Sequence, residues 1–368
     1  MTDIAKRSPF HAVQERIGGA FGDWDGWIWT TGFGNPAAEY AAIRDGVGVW
    51  DCSSLIKWEY RGPDALRAVD RLVTHDVGSL GPGRARYTAL VDEAGRMVDD
   101  ATVYVFGPDR VWLMTNRFDL ESHLRTVAAG LDATIELIVF DLPHVQLQGP
   151  RSREVLQRHV EVDLSTLGYF RFLTEPVKVA GVPAWITRTG VSGELGYELF
   201  VRPEGAEPLW ERLTADGEVV PYGFDAVDVA RIESGMILPG YDYTPGQTSP
   251  YDIDFERFIR LDTAEPFHGR QALAAAWAAG PERRLATLVI DGDEVPETGA
   301  AVTANGEPAG TATSPTASPR FGTIGLAVLE RRFAEPGTRV EVALGDGAVR
   351  ARVERPSIHD PEKRRVRM

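Results

Sequence analysis

The alternation of apolar and polar residues changes period repeatedly along the first half of the chain. Residues 55–61 follow the two-residue period of a strand, and the apolar positions of 66–73 recur at helical spacing. Three further strand-like segments, 84–91, 97–106 and 110–115, are separated by short turns that contain glycine. Short turns between consecutive strands predict an antiparallel meander, which here follows a strand and a helix.

The same order of elements begins again near residue 144. A strand at 144–148 ends at a Gly-Pro break, and a helix follows it. Strands at 182–187 and 196–201 then precede another helix. This weak internal symmetry predicts two similar α+β lobes. The mixture of helices and hairpins disfavours a doubly wound parallel sheet.

A change of pattern near residue 284 marks a third module. From there, short strands alternate with Gly and Pro turns, which is typical of a small β-barrel. The predicted fold class is therefore α+β, with two sheet-and-helix lobes and a C-terminal barrel. We place the first lobe at 1–50 and 139–275, the second at 51–138, and the barrel at 281–368.

Charge and cysteine content narrow the possible functions. The net charge of −15 disfavours nucleic acid and anionic membrane as partners, because phosphates bind concentrated Lys and Arg. No apolar run approaches the ~20 residues that span a bilayer, and the first residues lack the apolar core of a signal peptide. The single cysteine, Cys52, excludes an internal disulfide, and no metal-binding motif is present. We expect a cytoplasmic protein without a metal.

Two adjacent acids, Asp99 and Asp100, interrupt an otherwise apolar strand. Because side chains alternate across a strand, we expect Asp100 to share a face with Val98 and Thr102. Asp99 would then share the opposite face with Met97. A carboxylate among apolar neighbours is costly to ionise without a partner, so the pair is a candidate site. The alternative is a solvated strand start just after the turn.

A glycine cluster at 190–198 presents two further acids, Glu194 from the turn and Glu198 from the strand beyond it. The glycines allow another group to approach the backbone closely. A carboxylate in this position can accept two hydrogen bonds from a flat amidine-like edge, such as that of a pterin. A plain hairpin with solvated acids is the alternative.

A series of short motifs, in a fixed order, is similar to those of a known family. They are Asp51-Cys-Ser-Ser-Leu55, Arg86-Tyr-Thr-Ala-Leu90, Val98-Asp-Asp100, Gln148-Gly-Pro150, Arg188-Thr-Gly-Val-Ser-Gly-Glu-Leu-Gly-Tyr-Glu198, Arg231-Ile-Glu-Ser-Gly-Met236 and Phe267-His-Gly-Arg-Gln-Ala-Leu273. In this order they resemble the glycine cleavage T-protein (aminomethyltransferase) family. Two motifs in the C-terminal module, at 314–319 and 324–327, extend the resemblance, which covers residues 24 to 353.

The resemblance implies three domains around a central channel that binds tetrahydrofolate as the acceptor of a one-carbon unit. By the same resemblance, Asp100 is the catalytic acid beside the reacting folate nitrogens. Glu198 corresponds to the acid that holds the pterin ring. Further positions that the resemblance places at the folate site are Tyr87, Leu55, Tyr104 and Asn116.

The chain departs from glycine-cleavage members at several positions of the resemblance. Ser54 stands where they carry His, Val191 where they carry Tyr, and Val227 where they carry Arg. Pro239 replaces the Tyr of a Leu-Tyr-Gly run. These departures resemble those of folate-dependent demethylases, which implies a small O-, S- or N-methylated metabolite as the methyl donor.

An aromatic wall for such a donor is expected from the tryptophans near the N-terminus and from two later tyrosines. The candidate donor contacts are Trp27, Trp29, Ser54, Tyr241 and Tyr243. Packing in the core is the alternative for these aromatic residues. A tyrosine hydroxyl in such a wall could protonate the leaving oxygen of an ether donor.

Two other functions stay open. The first is aminomethyl transfer in glycine cleavage, with a lipoyl carrier protein as partner. The second is a folate-binding, non-catalytic accessory protein of iron–sulfur assembly. The accessory relatives carry their cysteine late in the chain, whereas Cys52 lies early, which disfavours the second alternative.

Overall fold

The computed structural model describes residues 6–24, 26–263 and 265–368. Its N-terminal elements are β1 (Lys6–Arg7), α1 (His11–Arg16), β2 (Ala20–Trp24), β3 (Trp27–Gly32), α2 (Pro36–Asp45) and β4 (Gly48–Asp51). The first three strands form a small sheet in the order β1-β3-β2. Helix α2 begins at Pro36 because proline suits the first helical turn and the Asn35 side chain accepts a hydrogen bond from the backbone N–H of Ala38.

The central segment forms a five-stranded antiparallel sheet with helices against one face. Its elements are β5 (Ile56–Arg61), α3 (Ala65–Leu72), β6 (Arg84–Val91), β7 (Met97–Gly107), β8 (Arg110–Thr115), α4 (Glu121–Val127) and β9 (Thr134–Leu137). The strand order is β6-β7-β8-β5-β9. Val69 and Leu72 of α3 pack with Trp58 and Val103 of the sheet, so the helical spacing of the sequence forms the lobe core.

The following segment repeats this arrangement. Its elements are β10 (His144–Gln148), α5 (Ser152–Gln157), β11 (Val177–Val179), β12 (Val182–Thr187), β13 (Gly196–Val201), α6 (Pro203–Thr214), β14 (Val220–Pro221) and α7 (Phe224–Glu233). The strand order β11-β12-β13-β10-β4-β14 matches that of the other lobe, except that β4 from the N-terminal segment lies between β10 and β14. The internal symmetry predicted from the sequence is therefore present in the fold.

The C-terminal module is a closed barrel. Helix α8 (Arg270–Ala279) precedes β15 (Arg283–Ile290), β16 (Ala301–Ala304), β17 (Glu307–Ser318), β18 (Gly322–Glu330), β19 (Arg339–Leu344) and β20 (Gly347–Glu354). The barrel order is β15-β18-β17-β16-β19-β20. Five short 3₁₀ turns lie in the described chain, at Leu164–Thr166, Pro250–Ile253, Glu256–Phe258, Arg331–Phe333 and Arg365–Arg367.

The α+β prediction, with two lobes and a barrel, is confirmed, whereas the residue boundaries given for the three domains stay a prediction. No helix within the described ranges has the length and apolar character needed to cross a membrane. The expectation about a signal peptide depends in part on residues 1–5, which lie outside the described residues.

Aromatic side chains join the two lobe sheets face to face. Trp112 of β8 lies 5.4 Å from Trp185 of β12, measured between ring centroids. Tyr104 of β7 lies 5.6 Å from Phe172 and 6.0 Å from Phe200. Such pairs add about 0.5–1.5 kcal/mol each beyond the area they bury. This contact fixes the lobes around the cavity described next.

Candidate active site

A cavity of about 640 Å³ lies among the two lobes, the segment after α7 and the C-terminal tail. Its volume lies within the range of roughly 300–1,000 Å³ that is usual for small-molecule sites. Several residues singled out from the sequence line it: Asp100, Glu198, Tyr87, Leu55, Asn116, Trp27, Trp29 and Ser54. The other three, Tyr104, Tyr241 and Tyr243, lie behind or beside this lining.

The register of β7 decides which acid faces the cavity. Strands β6 and β7 pair with Leu90 opposite Asp99 and Val91 opposite Met97, which leaves Val98 as an extra residue. Val98 consequently packs into the lobe core, and Met97 packs on the other side of the sheet. The faces predicted for Val98 and Met97 were therefore wrong, because strict alternation does not hold across a β-bulge.

Asp99 is fully buried and ties β7 to the end of β8. Its carboxylate accepts hydrogen bonds from the backbone N–H and the side-chain Nδ2 of Asn116, each at 2.8 Å. The backbone N–H of Arg117 adds a third hydrogen bond at 3.2 Å. Burial and the neighbouring Asp100 charge raise the pKa of Asp99 to about 7. The alternative of a solvated strand start is wrong.

Asp100 lines the cavity, with 9% of its surface exposed. Each of its carboxylate oxygens accepts a hydrogen bond from a tyrosine hydroxyl. Tyr87 donates to Oδ2 at 2.8 Å, and Tyr243 donates to Oδ1 at 2.7 Å. Burial raises the pKa of Asp100, although the hydrogen bonds from Tyr243, Tyr87 and Asn116 favour its ionised form and oppose the shift. A carboxyl held in this way can donate a proton in its neutral form and accept one in its ionised form.

Tyr241 and Tyr243 were expected to contact the methyl donor, but neither of them lines the cavity. Tyr243 is buried behind Asp100 and does not line the cavity. Tyr241 is 40% exposed and stacks on Trp24 with ring centroids 5.8 Å apart. A hydrogen bond from the Gly240 N–H to the Tyr243 carbonyl closes the backbone turn at 238–243. Because of this turn, the Tyr241 side chain lies at the surface and the Tyr243 side chain lies in the interior.

Glu198 lies at the centre of a second buried polar group. It stands on β13 directly opposite Gln146 of β10, whose Nε2 donates to Oε1 at 3.0 Å. Tyr104 donates to Oε2 at 3.0 Å, and the Thr189 hydroxyl also donates to this oxygen. Burial raises the pKa of Glu198, although these donors oppose the shift. Tyr104 therefore contacts Glu198 from behind and does not line the cavity.

Gln146 was not singled out from the sequence, although it lines the cavity beside Glu198. Its Oε1 atom is buried and has no hydrogen-bond partner among the described residues. A polar side chain in the middle of a fully buried strand is a signal that could have identified it. The Glu198–Gln146 pair thus presents acceptor atoms to a ligand that carries N–H groups.

Glu194, the other acid of the glycine cluster, has a different environment. Its carboxylate lies 2.7 Å from Nε2 of His359 and accepts a hydrogen bond from Nε of Arg365, also at 2.7 Å. Arg44 approaches from the lobe at 3.4 Å. Burial opposes ionisation, but the hydrogen bonds from His359 and Arg365 hold the pKa of Glu194 below its usual range. Glu194 therefore fastens the C-terminal tail to the lobe.

Aromatic side chains cover another part of the cavity. We define the aromatic wall as Trp24, Trp29, Trp50 and Phe224, all of which line the cavity. Trp29 stacks on Phe224 with ring centroids 4.3 Å apart, and Trp24 lies 5.1 Å from Trp29. Trp27 lines the cavity separately and stacks on Phe118 and Phe140.

The residues at the positions of sequence departure also line the cavity. Val191 and Val227 pack in one apolar cluster with Trp29, Trp50 and Phe224. Ser54 and Pro239 also line the cavity. This part of the cavity is therefore apolar where the resemblance would place an arginine and a tyrosine.

Two lobes of the same topology, a closed barrel and a cavity with two buried acids define the class of the protein. The GCVT N-terminal domain family matches residues 10–263, and the glycine cleavage T-protein C-terminal barrel domain matches residues 283–360. The chain therefore belongs to the glycine cleavage T-protein (aminomethyltransferase) family.

Individual relatives match over nearly their whole length. An aminomethyltransferase of Streptomyces coelicolor is 35% identical, over 90% of this chain and 91% of the relative. An aminomethyltransferase of Rubrobacter xylanophilus is also 35% identical, over 95% and 92%. The crystal structure of glycine cleavage system aminomethyltransferase T from Bartonella henselae has the same fold, with a TM-score of 0.87 over 95% of this chain and 97% of that chain at 24% identity.

Proposed function

We propose that the protein is a tetrahydrofolate-dependent one-carbon transferase. One observation carries the proposal: a single cavity contains both the Glu198–Gln146 acceptor pair and the Asp100 carboxyl held by Tyr87. The Glu198–Gln146 pair suits the N–H edge of a flat heterocycle. The Asp100 carboxyl suits a weakly basic nitrogen that exchanges a proton. A pterin joined to reacting nitrogens combines these two requirements in one molecule.

The residues present fit tetrahydrofolate. Glu198 and the unsatisfied Oε1 of Gln146 are acceptors, and the ring N–H and amino group of a pterin are donors. The buried setting strengthens such hydrogen bonds because water does not compete with them. We therefore assign the pterin to Glu198 and Gln146.

Asp100 is the proposed catalytic residue. As an ionised carboxylate it would stabilise positive charge that develops on a reacting nitrogen, and it would accept the proton that this nitrogen releases. Tyr87 and Tyr243 keep both carboxylate oxygens oriented during this exchange. Burial and the Asp100 charge raise the pKa of Tyr87 well above its ordinary value, so its hydroxyl stays a donor at neutral pH.

The first candidate donor is an aminomethyl group on a lipoyl carrier protein. Relatives named aminomethyltransferase, at 35% identity over about nine tenths of both chains, support this donor above a methylated metabolite. In this transfer the carbon loses its bonds to sulfur and to the amine nitrogen and forms two bonds to folate nitrogens. The two protons released by those nitrogens leave with ammonia and with the dihydrolipoyl thiol.

A labelling assay tests this donor. The protein is incubated with tetrahydrofolate and a lipoyl carrier that bears a ¹³C-aminomethyl group, and methylene-tetrahydrofolate and ammonia are measured. Equal amounts of labelled folate and ammonia support aminomethyl transfer. Absence of both, with a carrier that is active toward a known aminomethyltransferase, overturns it.

A second candidate donor is a small methylated metabolite. The apolar side formed by Val191, Val227 and the aromatic wall favours this donor, because it offers no fixed charge from those positions to a carrier-borne amine. A cationic donor would gain roughly 0.5–2 kcal/mol from the aromatic faces. The same assay with a panel of methoxyarenes, sulfonium compounds and methylamines would then give 5-methyl-tetrahydrofolate with the panel and no product with the carrier.

A non-catalytic folate-binding role is the remaining alternative. Cys52 is fully buried, and burial raises its pKa well above the ordinary value, so it offers no accessible thiolate. Tight folate binding without product from any donor would favour this alternative over both transfer reactions.

A further inference from the structure

The two adjacent acids of β7 are buried together without a counter-charge. Asp99 is fully buried, and Asp100 is nearly so. In the part of the chain that the structure describes, no Lys, Arg or His nitrogen lies within 4.0 Å of either carboxylate. The guanidinium of Arg117 pairs with Asp119 instead. Because two buried like charges repel each other, the pair favours a state with one proton over a state with two charges.

The Tyr243 hydroxyl lies between the two acids. Its oxygen is 2.7 Å from Oδ1 of Asp100 and 3.2 Å from Oδ1 of Asp99. A tyrosine hydroxyl carries one hydrogen, and its oxygen also accepts hydrogen bonds. When this hydrogen points at Asp100, the contact with Asp99 is a hydrogen bond only if Asp99 is protonated and donates to the tyrosine oxygen. The three oxygen atoms therefore form a path for a proton between the acids.

Neutral donors hold each acid, whichever of them carries the charge. The side-chain amide of Asn116 is 2.8 Å from Oδ1 of Asp99 and 3.2 Å from Oδ1 of Asp100. Asp99 also accepts hydrogen bonds from the backbone N–H groups of Asn116 and Arg117. Asp100 also accepts a hydrogen bond from the Tyr87 hydroxyl. Since these donors are present for both carboxylates, the charge can lie on either one.

We propose that Asp99 supplies and stores a proton for Asp100, with the Tyr243 hydroxyl as the connection, an inference that rests on the proposed function. The Asp99 proton moves to the Tyr243 oxygen while the Tyr243 proton moves to Oδ1 of Asp100. Two O–H bonds break and two form, so the pair keeps one negative charge. Asp99 does not line the cavity, and it acts on the reaction only through Asp100.

The shared proton allows Asp100 to act as a base or as an acid at the same pH. With the proton on Asp99, Asp100 is ionised and accepts a proton from a folate nitrogen. With the proton on Asp100, the same carboxyl donates it to the departing group of the one-carbon donor. A lone carboxylate must accept a proton before it can donate one, whereas the pair can do either first.

Infrared spectra of the folate-free protein test the shared proton. Labelling aspartate with ¹³C at its side-chain carboxyl separates the C=O band of protonated aspartic acid from that of glutamic acid. Near pH 7 we expect one such band to disappear in Asp99→Asn and the same band to disappear in Asp100→Asn, because the remaining acid ionises once its neighbour is gone. Asp119→Asn, which removes the exposed acid that pairs with Arg117, is the control and should leave this band unchanged.

The infrared outcomes do not depend on folate. A band that is lost in only one of the two variants belongs to a single acid, and this result overturns the proposal. A wild-type spectrum that matches both variants overturns it as well. Tyr243→Phe keeps both acids and so serves if Asp99→Asn fails to fold. Its band should move to higher frequency, because the carboxyl loses its acceptor, and an unmoved band overturns the path through Tyr243.

The pH dependence of turnover tests the catalytic part of the proposal. The wild type should give a bell-shaped profile, because turnover is lost when the pair gains a second proton or loses its last one. Asp99→Asn should lose the basic limb, and turnover should fall about ten-fold or more while the folate dissociation constant changes by no more than about three-fold. An unchanged basic limb in this variant overturns the catalytic role of Asp99. Wild-type protein that shows no turnover with any donor overturns the proposed function, whereas the infrared result still decides whether the acids share a proton.

Discussion

Asp99 and Asp100 are neighbours in the chain and share two donors, the Tyr243 hydroxyl and the Asn116 side-chain amide, but their other donors differ. Asp99 receives backbone N–H groups from Asn116 and Arg117, which fixes it inside the sheet. Asp100 receives the hydroxyls of Tyr87 and Tyr243 and lines the cavity. Only Asp100 therefore has access to a ligand.

Substitution of each cavity acid separates catalysis from binding. Asp100→Asn keeps the shape of the side chain but removes its charge, so we expect turnover to fall about 10²–10⁴-fold while the folate dissociation constant changes little. Glu198→Ala removes acceptors for the pterin, so the dissociation constant should rise about ten-fold or more. Steady-state kinetics with direct binding measurements check both, and equal effects of the two variants on binding and turnover would contradict these roles.

Removal of the Tyr243 hydroxyl should change the pH dependence of turnover. The hydroxyl favours the ionised form of Asp100, so Tyr243→Phe should raise the pKa of Asp100 further. If Asp100 acts as a carboxylate, the acidic limb of the pH–rate profile then moves to higher pH. Tyr241→Phe, two residues away on an exposed side chain, is the control. An unmoved acidic limb in Tyr243→Phe would show that Tyr243 does not act through Asp100.

The sequence located Asp100 and Glu198 because strand period, glycine pattern and family motifs mark these positions. It did not reveal that Tyr243 contacts Asp100, since this contact joins residues 143 positions apart. Gln146 was missed for a similar reason. Its role depends on its position opposite Glu198 on the neighbouring strand, which is far away in sequence. Contacts of this kind depend on tertiary folding and leave only weak local signals.

Among the elements, strand β7 shows how a bulge limits prediction from periodicity. The sequence predicted the strand at 97–106, and the observed strand is Met97–Gly107. The extra residue Val98 reverses the faces on the N-terminal side of the acids, and nothing in the apolar pattern marks it. The start of α2, by contrast, carries a local chemical signal, because Asn35 caps the helix and Pro36 suits its first turn.

The C-terminal tail is an element whose position depends on one buried acid. Glu194→Ala removes the partner of His359 and Arg365 and leaves Arg44 with fewer acceptors. We expect a loss of about 2–4 kcal/mol in the free energy of unfolding, and faster amide exchange in residues 359–367. Urea unfolding and hydrogen exchange measure both effects. Glu175→Ala, at an exposed position, is the control, and a variant that matches it in both measurements would contradict the role of Glu194.

For the whole molecule, two lobes of similar topology pack through an aromatic interface and close around the cavity with the segment after α7 and the C-terminal tail. The order of most elements in the two lobes was predictable, because local turns and periods define them, whereas the small sheet of β1, β2 and β3 was not predicted. The packing of the lobes was not, because it depends on which sheet faces meet. The burial of Lys57 is a consequence of that packing. This side chain is fully buried, and its ammonium group donates a hydrogen bond to the Ser53 carbonyl at 3.0 Å.

The buried Lys57 should make the stability of the whole molecule depend on pH. Burial lowers its pKa to about 7, below the value of about 10.4 for an unfolded lysine. Between these values the unfolded chain binds the extra proton, so this residue's contribution to stability rises with pH. Relative to Lys57→Met, the wild type should gain about 2 kcal/mol between pH 7 and 9 in urea unfolding. Lys178→Met, at an exposed position, should show no such difference from the wild type.

The central claim is that one cavity binds the pterin at Glu198 and places the reacting nitrogens at Asp100. A crystal structure of the complex with tetrahydrofolate tests it most directly. We predict pterin N–H groups about 3 Å from the carboxylate of Glu198, and a reacting nitrogen within hydrogen-bond reach of Asp100, directly or through one water. A folate bound in the reverse orientation, or outside this cavity, would contradict the claim.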